Sequence, residues 1–320
     1  MANFGYKLMS EEHGPKALVA NARRAEELGF DFVAISDHYH PWLEPQGHSP
    51  LAWTVLGAVA ARTERIGLTT AVTCPTIRYH PAVVAQFAST LAVLSNDRFT
   101  LGLGAGENLN EHVVGEEFPP PLTRQAMLGE AVDMIQLLWE GKEVSHRGEY
   151  FSLDRARLWD RPNTPLKLAK AAGGPNAAEL AAQKGAGLFT SGPSKDLLIV
   201  WSLAGGRGPR YAEVMLSWAP TEAEAVRIAH ERARFGVMGW KVMAELPTTA
   251  SFEDATQFIR PEDVAKNVAC GPDPERHLEA IQKYVDAGFD NLTLLAVGPD
   301  QDGFLDFWRK ELGPRVQKLK

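Results

Sequence analysis

Eight short apolar runs, each followed by a segment of helical spacing, recur along this chain of 320 residues. No other feature constrains the fold as strongly. The runs cover 4–9, 30–36, 66–72, 98–103, 166–172, 187–190, 212–218 and 291–297. They are short and apolar at consecutive positions, as strands buried on both faces of a parallel sheet must be. The segments after them, 13–28, 51–62, 81–94, 123–140, 175–184, 196–203, 274–287 and 302–318, read as helices. In the first of these, Leu18, Val19, Ala22 and Ala25 repeat at helical spacing and Gly29 stands where a C-terminal cap belongs. Eight β-then-α units favour a closed (β/α)8 barrel over an open doubly wound sheet. Two stretches fall outside the repeat. Residues 143–165 read as a hairpin-like insertion, and 220–263 as a largely helical insertion at the barrel rim. The expectation is a single barrel domain over 1–320.

Composition narrows the partners. With 33 basic against 40 acidic side chains and no Lys/Arg block, neither phosphate-neutralising contact with nucleic acid nor docking on an anionic membrane is expected. No apolar run approaches the roughly 18–20 residues of a membrane span. The first residues lack a basic segment followed by an apolar one. Two cysteines, Cys74 and Cys270, cannot build a disulfide framework or a four-thiolate zinc site. The expectation is a cytoplasmic protein with a small-molecule substrate.

In a barrel of this type chemistry sits at the C-terminal ends of the strands. The second strand ends in Asp37-His38-Tyr39-His40-Pro41-Trp42, and the fourth runs into Gly104-Ala105-Gly106-Glu107. The fifth ends in Gly173-Gly174 immediately before a helix. That turn is either a simple strand-to-helix connection or an anion site made of free backbone N–H groups. The His-x-His run has two readings as well. Asp37, His38 and His40 are potential metal ligands, but the fifth and sixth strand ends supply no His, Asp or Glu to complete a set. Alternatively one imidazole, with a pKa near 6.5, is a general base at neutral pH. Trp42 would then wall the pocket, and Glu107 would bring a carboxylate from a different strand.

The runs from Ile35 to Trp42 (Ile-Ser-Asp-His-Tyr-His-Pro-Trp), Val72 to Ala82, Gly102 to Glu111 (Gly-Leu-Gly-Ala-Gly-Glu-Asn-Leu-Asn-Glu) and Ala171 to Pro175 together resemble the luciferase-like, coenzyme F420-dependent oxidoreductases. The branch most resembled is that of the F420-dependent glucose-6-phosphate dehydrogenases. The likeness extends from Gly5 to the last helix. It implies a luciferase-like (β/α)8 barrel holding coenzyme F420 across the strand ends, and a homodimer. It implies His38 as the base, Trp42 as the aromatic residue positioning the reacting groups and Glu107 as the carboxylate near the deazaflavin. Asn110 would hold the cofactor, and Ala71-Val72 would form a non-proline cis peptide behind its ring. Asp37, Gly106, Ala172, Gly173, Gly174, Ser191 and Gly192 match cofactor-contact positions, and Glu11 matches a carboxylate at the substrate mouth. No metal is implied.

The substrate side departs from that branch. The sugar-phosphate enzymes carry Lys directly after Thr-Ser-Gly, where this chain has Pro193. Their Arg near the start of the final βα unit aligns with Asn267, and their rim Lys has no clear match beyond Lys241. A phosphate dianion needs fixed cations. The expected reaction is therefore hydride transfer between an alcohol or sugar-type hydroxyl substrate and C5 of the deazaflavin. The competing expectations are an FMN-dependent monooxygenase on the same barrel and, from a different class, a metal-dependent hydrolase.

Overall fold

In a computed structural model that describes residues 2–319, eight parallel strands close into a barrel. Met1 and Lys320, the ends of the expected domain, lie outside the described residues. The strands are β1 (Asn3–Leu8), β2 (Phe32–Ile35), β3 (Gly67–Thr70), β4 (Phe99–Leu103), β5 (Leu168–Ala171), β6 (Gly187–Thr190), β7 (Arg210–Ser217) and β8 (Asn291–Ala296). Each pairs with the next, and β8 pairs back on β1 with Thr293 opposite Gly5. The apolar runs map one to one onto these strands. Helices such as Pro15–Glu27 and Pro81–Leu94 pack outside them.

Alternation along each strand sorts residues between lumen and outer layer. On β1, Phe4, Tyr6 and Leu8 join the outer apolar core, so Gly5 and Lys7 face the lumen. Phe32, Phe189 and Tyr211 form an aromatic floor. Tyr211 stacks on Phe189 at 5.6 Å and meets Phe32 edge-on at 5.6 Å. A Cβ at Gly5 would collide with the Phe32 ring, so this floor exists only because Gly5 has none.

Two details escape the sequence pattern. The last helix is interrupted: Gln301–Phe307 is α-helical, Trp308–Leu312 is a π turn, and Gly313–Val316 resumes. Pro314 has no N–H to continue the ladder, and the π turn absorbs the mismatch. A two-residue strand, Ala269–Cys270, pairs with β7 and is too short to show a period. The segment 143–165 contains an antiparallel hairpin, Val144–Arg147 with Ser152–Ala156. The segment 220–263 folds into helices Glu222–Ala233, Trp240–Met243, Thr249–Thr256 and Pro261–Ala265. Among the described residues no helix is long and apolar enough to cross a membrane.

Candidate active site

His38 leaves the end of β2 and lies buried between two carboxylates. Its Nδ1 is 2.7 Å from Glu11 Oε1, and its Nε2 is 4.0 Å from Glu107 Oε2. The Nδ1 contact is off-line for a straight hydrogen bond, so it acts mainly as a close charge pair. The backbone around the imidazole is pinned from both sides. Asn110 Oδ1 accepts from the N–H groups of Tyr39 (2.8 Å) and His40 (3.1 Å), and Ser49 Oγ donates to the His38 carbonyl at 2.9 Å. Asn110 Nδ2 also donates to Glu107 Oε2 at 3.3 Å, so one amide ties the loop that carries the imidazole to the carboxylate.

Burial pulls the His38 pKa down, but the charge and contact of Glu11, and then the charge of Glu107, outweigh it. The net shift is upward. Burial likewise pushes Glu11 up, and the His38 charge and contact reverse it, holding that carboxyl at about 2. Glu11 is therefore a permanent anion beside an imidazole that keeps its proton beyond the ordinary imidazole range.

Trp42 stands edge-on to His38 with ring centroids 5.0 Å apart. The rim insertion holds it there: Phe235 stacks on it at 5.1 Å, and Phe252 meets it at 5.1 Å and 67°. Gln46 Oε1 accepts from the Trp42 N–H at 2.8 Å. His40, two residues from His38, is half-buried, stacks on His112 at 6.2 Å, and has its pKa lowered by burial and by His112. Structure thus separates two imidazoles that the sequence leaves equivalent. Among the described residues no group of three His, Cys, Asp or Glu side chains is arranged to hold a metal ion.

Asp37 is buried and its carboxylate is fully engaged. Its carboxylate accepts from Thr73 Oγ1 (2.8 Å), Trp53 Nε1 (3.1 Å), Arg78 Nη2 (3.1 Å) and Tyr79 OH (3.3 Å). The structure places it as an anchor for the loop that carries His38.

The remaining positions follow the strands β3 to β6. The Ala71-Val72 peptide is cis. A Cβ at Gly104 would collide with the Val72 side chain, and one at Gly106, whose φ is +79°, with Cys74 and Glu111. Ala172 is buried, its N–H bonded to Phe189 O at 2.9 Å. Gly174 is the N-cap of helix Pro175–Gln183 and provides no side-chain cap, so among the described residues no side chain of the cap satisfies the first-turn N–H groups. Apart from the adjoining residues, no heavy atom of the described residues lies within 4 Å of where a Cβ would stand on Gly174 or Gly192, and Ser191 is exposed beside the latter. An uncapped helix start at Gly174, with open space at that glycine, fits a cofactor phosphate.

Sequence reasoning missed four contributors. Phe235 and Phe252 support Trp42 from about 200 residues away. Trp240 covers the strand-five turn, where a Cβ on Gly173 would strike its indole. Lys7 lies inside the barrel, paired with Glu213. The one available signal was a lysine inside an otherwise apolar first strand.

A family model described as luciferase-like monooxygenase matches residues 2–291. An F420-dependent glucose-6-phosphate dehydrogenase from Nakamurella multipartita is 39% identical over 328 residues, covering 99% of this chain and 97% of that protein. The Kineococcus radiotolerans protein of the same name is 40% identical over 336 residues, covering 98% and 96%. Among solved structures, an F420-dependent secondary alcohol dehydrogenase in complex with an F420-acetone adduct superimposes with a TM-score of 0.91 at 29% identity, covering 98% of this chain and 99% of that one.

Proposed function

This chain belongs to the luciferase-like monooxygenase family, and from that premise we propose that it is a coenzyme F420-dependent oxidoreductase acting on the CH–OH group of a small hydroxyl substrate. The observation that carries this reading is His38, buried between Glu11 and Glu107 and faced by Trp42. The named relatives and the alcohol dehydrogenase structure support the cofactor. When bound, the deazaflavin supplies the hydride acceptor at its C5. Gly173, Gly174, Ser191 and Gly192 would hold its phosphate side. Ala71, Val72, Gly106, Ala172 and Glu107 would line its ring, with Asp37 and Asn110 fixing the loop beside it.

The protein's own part is proton handling and positioning. His38 accepts the hydroxyl proton of the alcohol, and Glu11 stabilises the imidazolium so formed. Trp42 confines the substrate next to the imidazole and excludes water. Glu107 keeps a negative charge near the ring side of the site. The whole chain works as one barrel domain, and in this reading it is a cytoplasmic homodimer. Sedimentation of a species at the chain mass of 35.0 kDa would overturn the dimer.

The cofactor assignment is tested by parallel titrations with coenzyme F420 and FMN. Much tighter binding of the deazaflavin is expected. Tight FMN binding without measurable F420 binding would replace this reading with a flavin monooxygenase.

A pH dependence follows from the raised His38 pKa. Alcohol oxidation needs neutral His38, so kcat/KM should rise with pH through a midpoint above the ordinary imidazole value of about 6.5. Ketone reduction needs the protonated form and should fall through the same midpoint. Glu11, held at about 2, adds no transition in the working range. A profile for oxidation that is flat from pH 6 upward would remove His38 as the base.

A further inference from the structure

One ion pair inside the barrel is unused by the reaction as described. Lys7 and Glu213 face the lumen from β1 and β7, one layer above the aromatic floor, with Ala34, Ala71 and Ala169 as neighbouring walls. Lys7 is buried, and its Nζ also donates to the Ala71 carbonyl at 3.0 Å. Two charges in such surroundings are a costly way to fill space, since an apolar pair of similar volume is commonly as stable or more so. A packing role alone does not account for them.

Their place relative to the site does. Lys7 is on β1, and Glu11 lies in the turn that directly follows that strand. From the barrel interior to the mouth the charged groups run Glu213, Lys7, Glu11, His38, Glu107, alternating in sign throughout. His38 is faced by Glu11 from the turn after β1 and by Glu107 from the loop after β4, and the charge of Lys7, in the lumen on β1, acts on it in the opposite direction to theirs. The rim elements packed around it contribute Trp42, Phe235 and Phe252, which carry no charge. Glu11 is additionally near Glu12 and His13 on its own segment, with Arg232 beside Glu12 at 3.8 Å.

We propose that Lys7 and Glu213 are positioning residues that set the protonation of the Glu11–His38 couple, Lys7 by opposing the proton on His38 and Glu213 by partly cancelling Lys7. This rests on the reading of His38 as the group that exchanges the substrate proton. The direction agrees with the electrostatics, in which the Lys7 charge lowers both the His38 and the Glu11 pKa. In a low-dielectric lumen such effects survive over distances that water would screen.

The pair makes a prediction of opposite signs. Lys7→Met removes the opposing charge and moves the His38 midpoint up. Glu213→Gln leaves Lys7 uncancelled and moves it down. The double variant, with both charges gone, returns close to wild type. The measurement is the histidine ring NMR titration of the cofactor-free protein, with His38 assigned by its loss in His38→Asn. The two single variants are expected to separate by about one pH unit or more. The same midpoint in all the proteins, or movement of both single variants in one direction, overturns the proposal. If Lys7→Met fails to fold because half-buried Glu213 loses its partner, Glu213→Gln and the double variant still give the sign. The titration needs no turnover. The sign pattern without alcohol oxidation would sink the functional reading and keep the pair's role, and oxidation without the pattern would do the reverse.

Discussion

Replacing His38 with Ala is expected to cut turnover by about 10²–10⁴-fold while leaving coenzyme F420 affinity nearly intact. That is the usual worth of a positioned general base, and it is large here because no other imidazole can stand in. His40 is directed to the rim against His112. The substitution also strips Glu11 of its charge partner, and a buried carboxylate without one takes up a proton. His38→Gln keeps the volume and a donor, so it separates loss of the base from loss of packing; both variants should be equally impaired in kcat. His40→Ala is the control, with turnover expected within a few-fold of wild type. Unchanged kcat in His38→Ala across neutral pH, or a larger loss in His40→Ala, would take His38 out of the mechanism.

The second large effect concerns substrate. Glucose-6-phosphate is expected to be a poor substrate, with kcat/KM at least about tenfold below that of an uncharged secondary alcohol or unphosphorylated sugar. A dianion binds where fixed cations replace its water, and the cations at this rim are absent, engaged or turned to solvent. Pro193 carries no charge. Asn267 Nδ2 donates to Asp263 O at 3.1 Å, and Lys266 and Arg260 both pair with Asp263. Arg232 donates to Pro45 O at 2.7 Å and lies beside Glu12. Lys195 and Lys241 are exposed, on helices Lys195–Leu203 and Trp240–Met243. The wall near His38 is instead aromatic, made of Trp42, Phe235 and Phe252. Initial rates with the deazaflavin as acceptor, over a panel of alcohols, sugars and glucose-6-phosphate, decide the matter. A strong preference for the phosphorylated sugar would mean that Lys195 or Lys241 turns inward to rebuild the phosphate site, as the names of the relatives would suggest.

The repeat of eight strand–helix units was legible because it is written in spacing. Whether a residue belongs to a buried strand or an amphipathic helix depends on neighbours two to four positions away, and eight such units leave few topologies. The strand ends were legible for the same reason, which put His38, Trp42 and Glu107 at the mouth before any coordinates. Glu11 and Asn110 came only through family resemblance; nothing in their local sequence marks a carboxylate as the partner of an imidazole or an amide as a spacer.

What the tertiary structure alone decided is which of these groups meet. His38 and His40 share one short run, and only the amide of Asn110, the hydroxyl of Ser49 and the carboxylate of Glu11 aim one inward and leave the other at the rim. Asp37, read as a cofactor contact, has its carboxylate occupied by Thr73, Trp53, Arg78 and Tyr79, all from elements beyond its own strand. Trp42 is rigid because Phe235 and Phe252 return to it from the rim insertion. Lys7 and Glu213 pair because β1 and β7 both turn those side chains into the lumen, with only β8 between them. Charge pairing and burial act through space across a closed barrel, between residues up to about 200 positions apart, and periodicity is blind at that range.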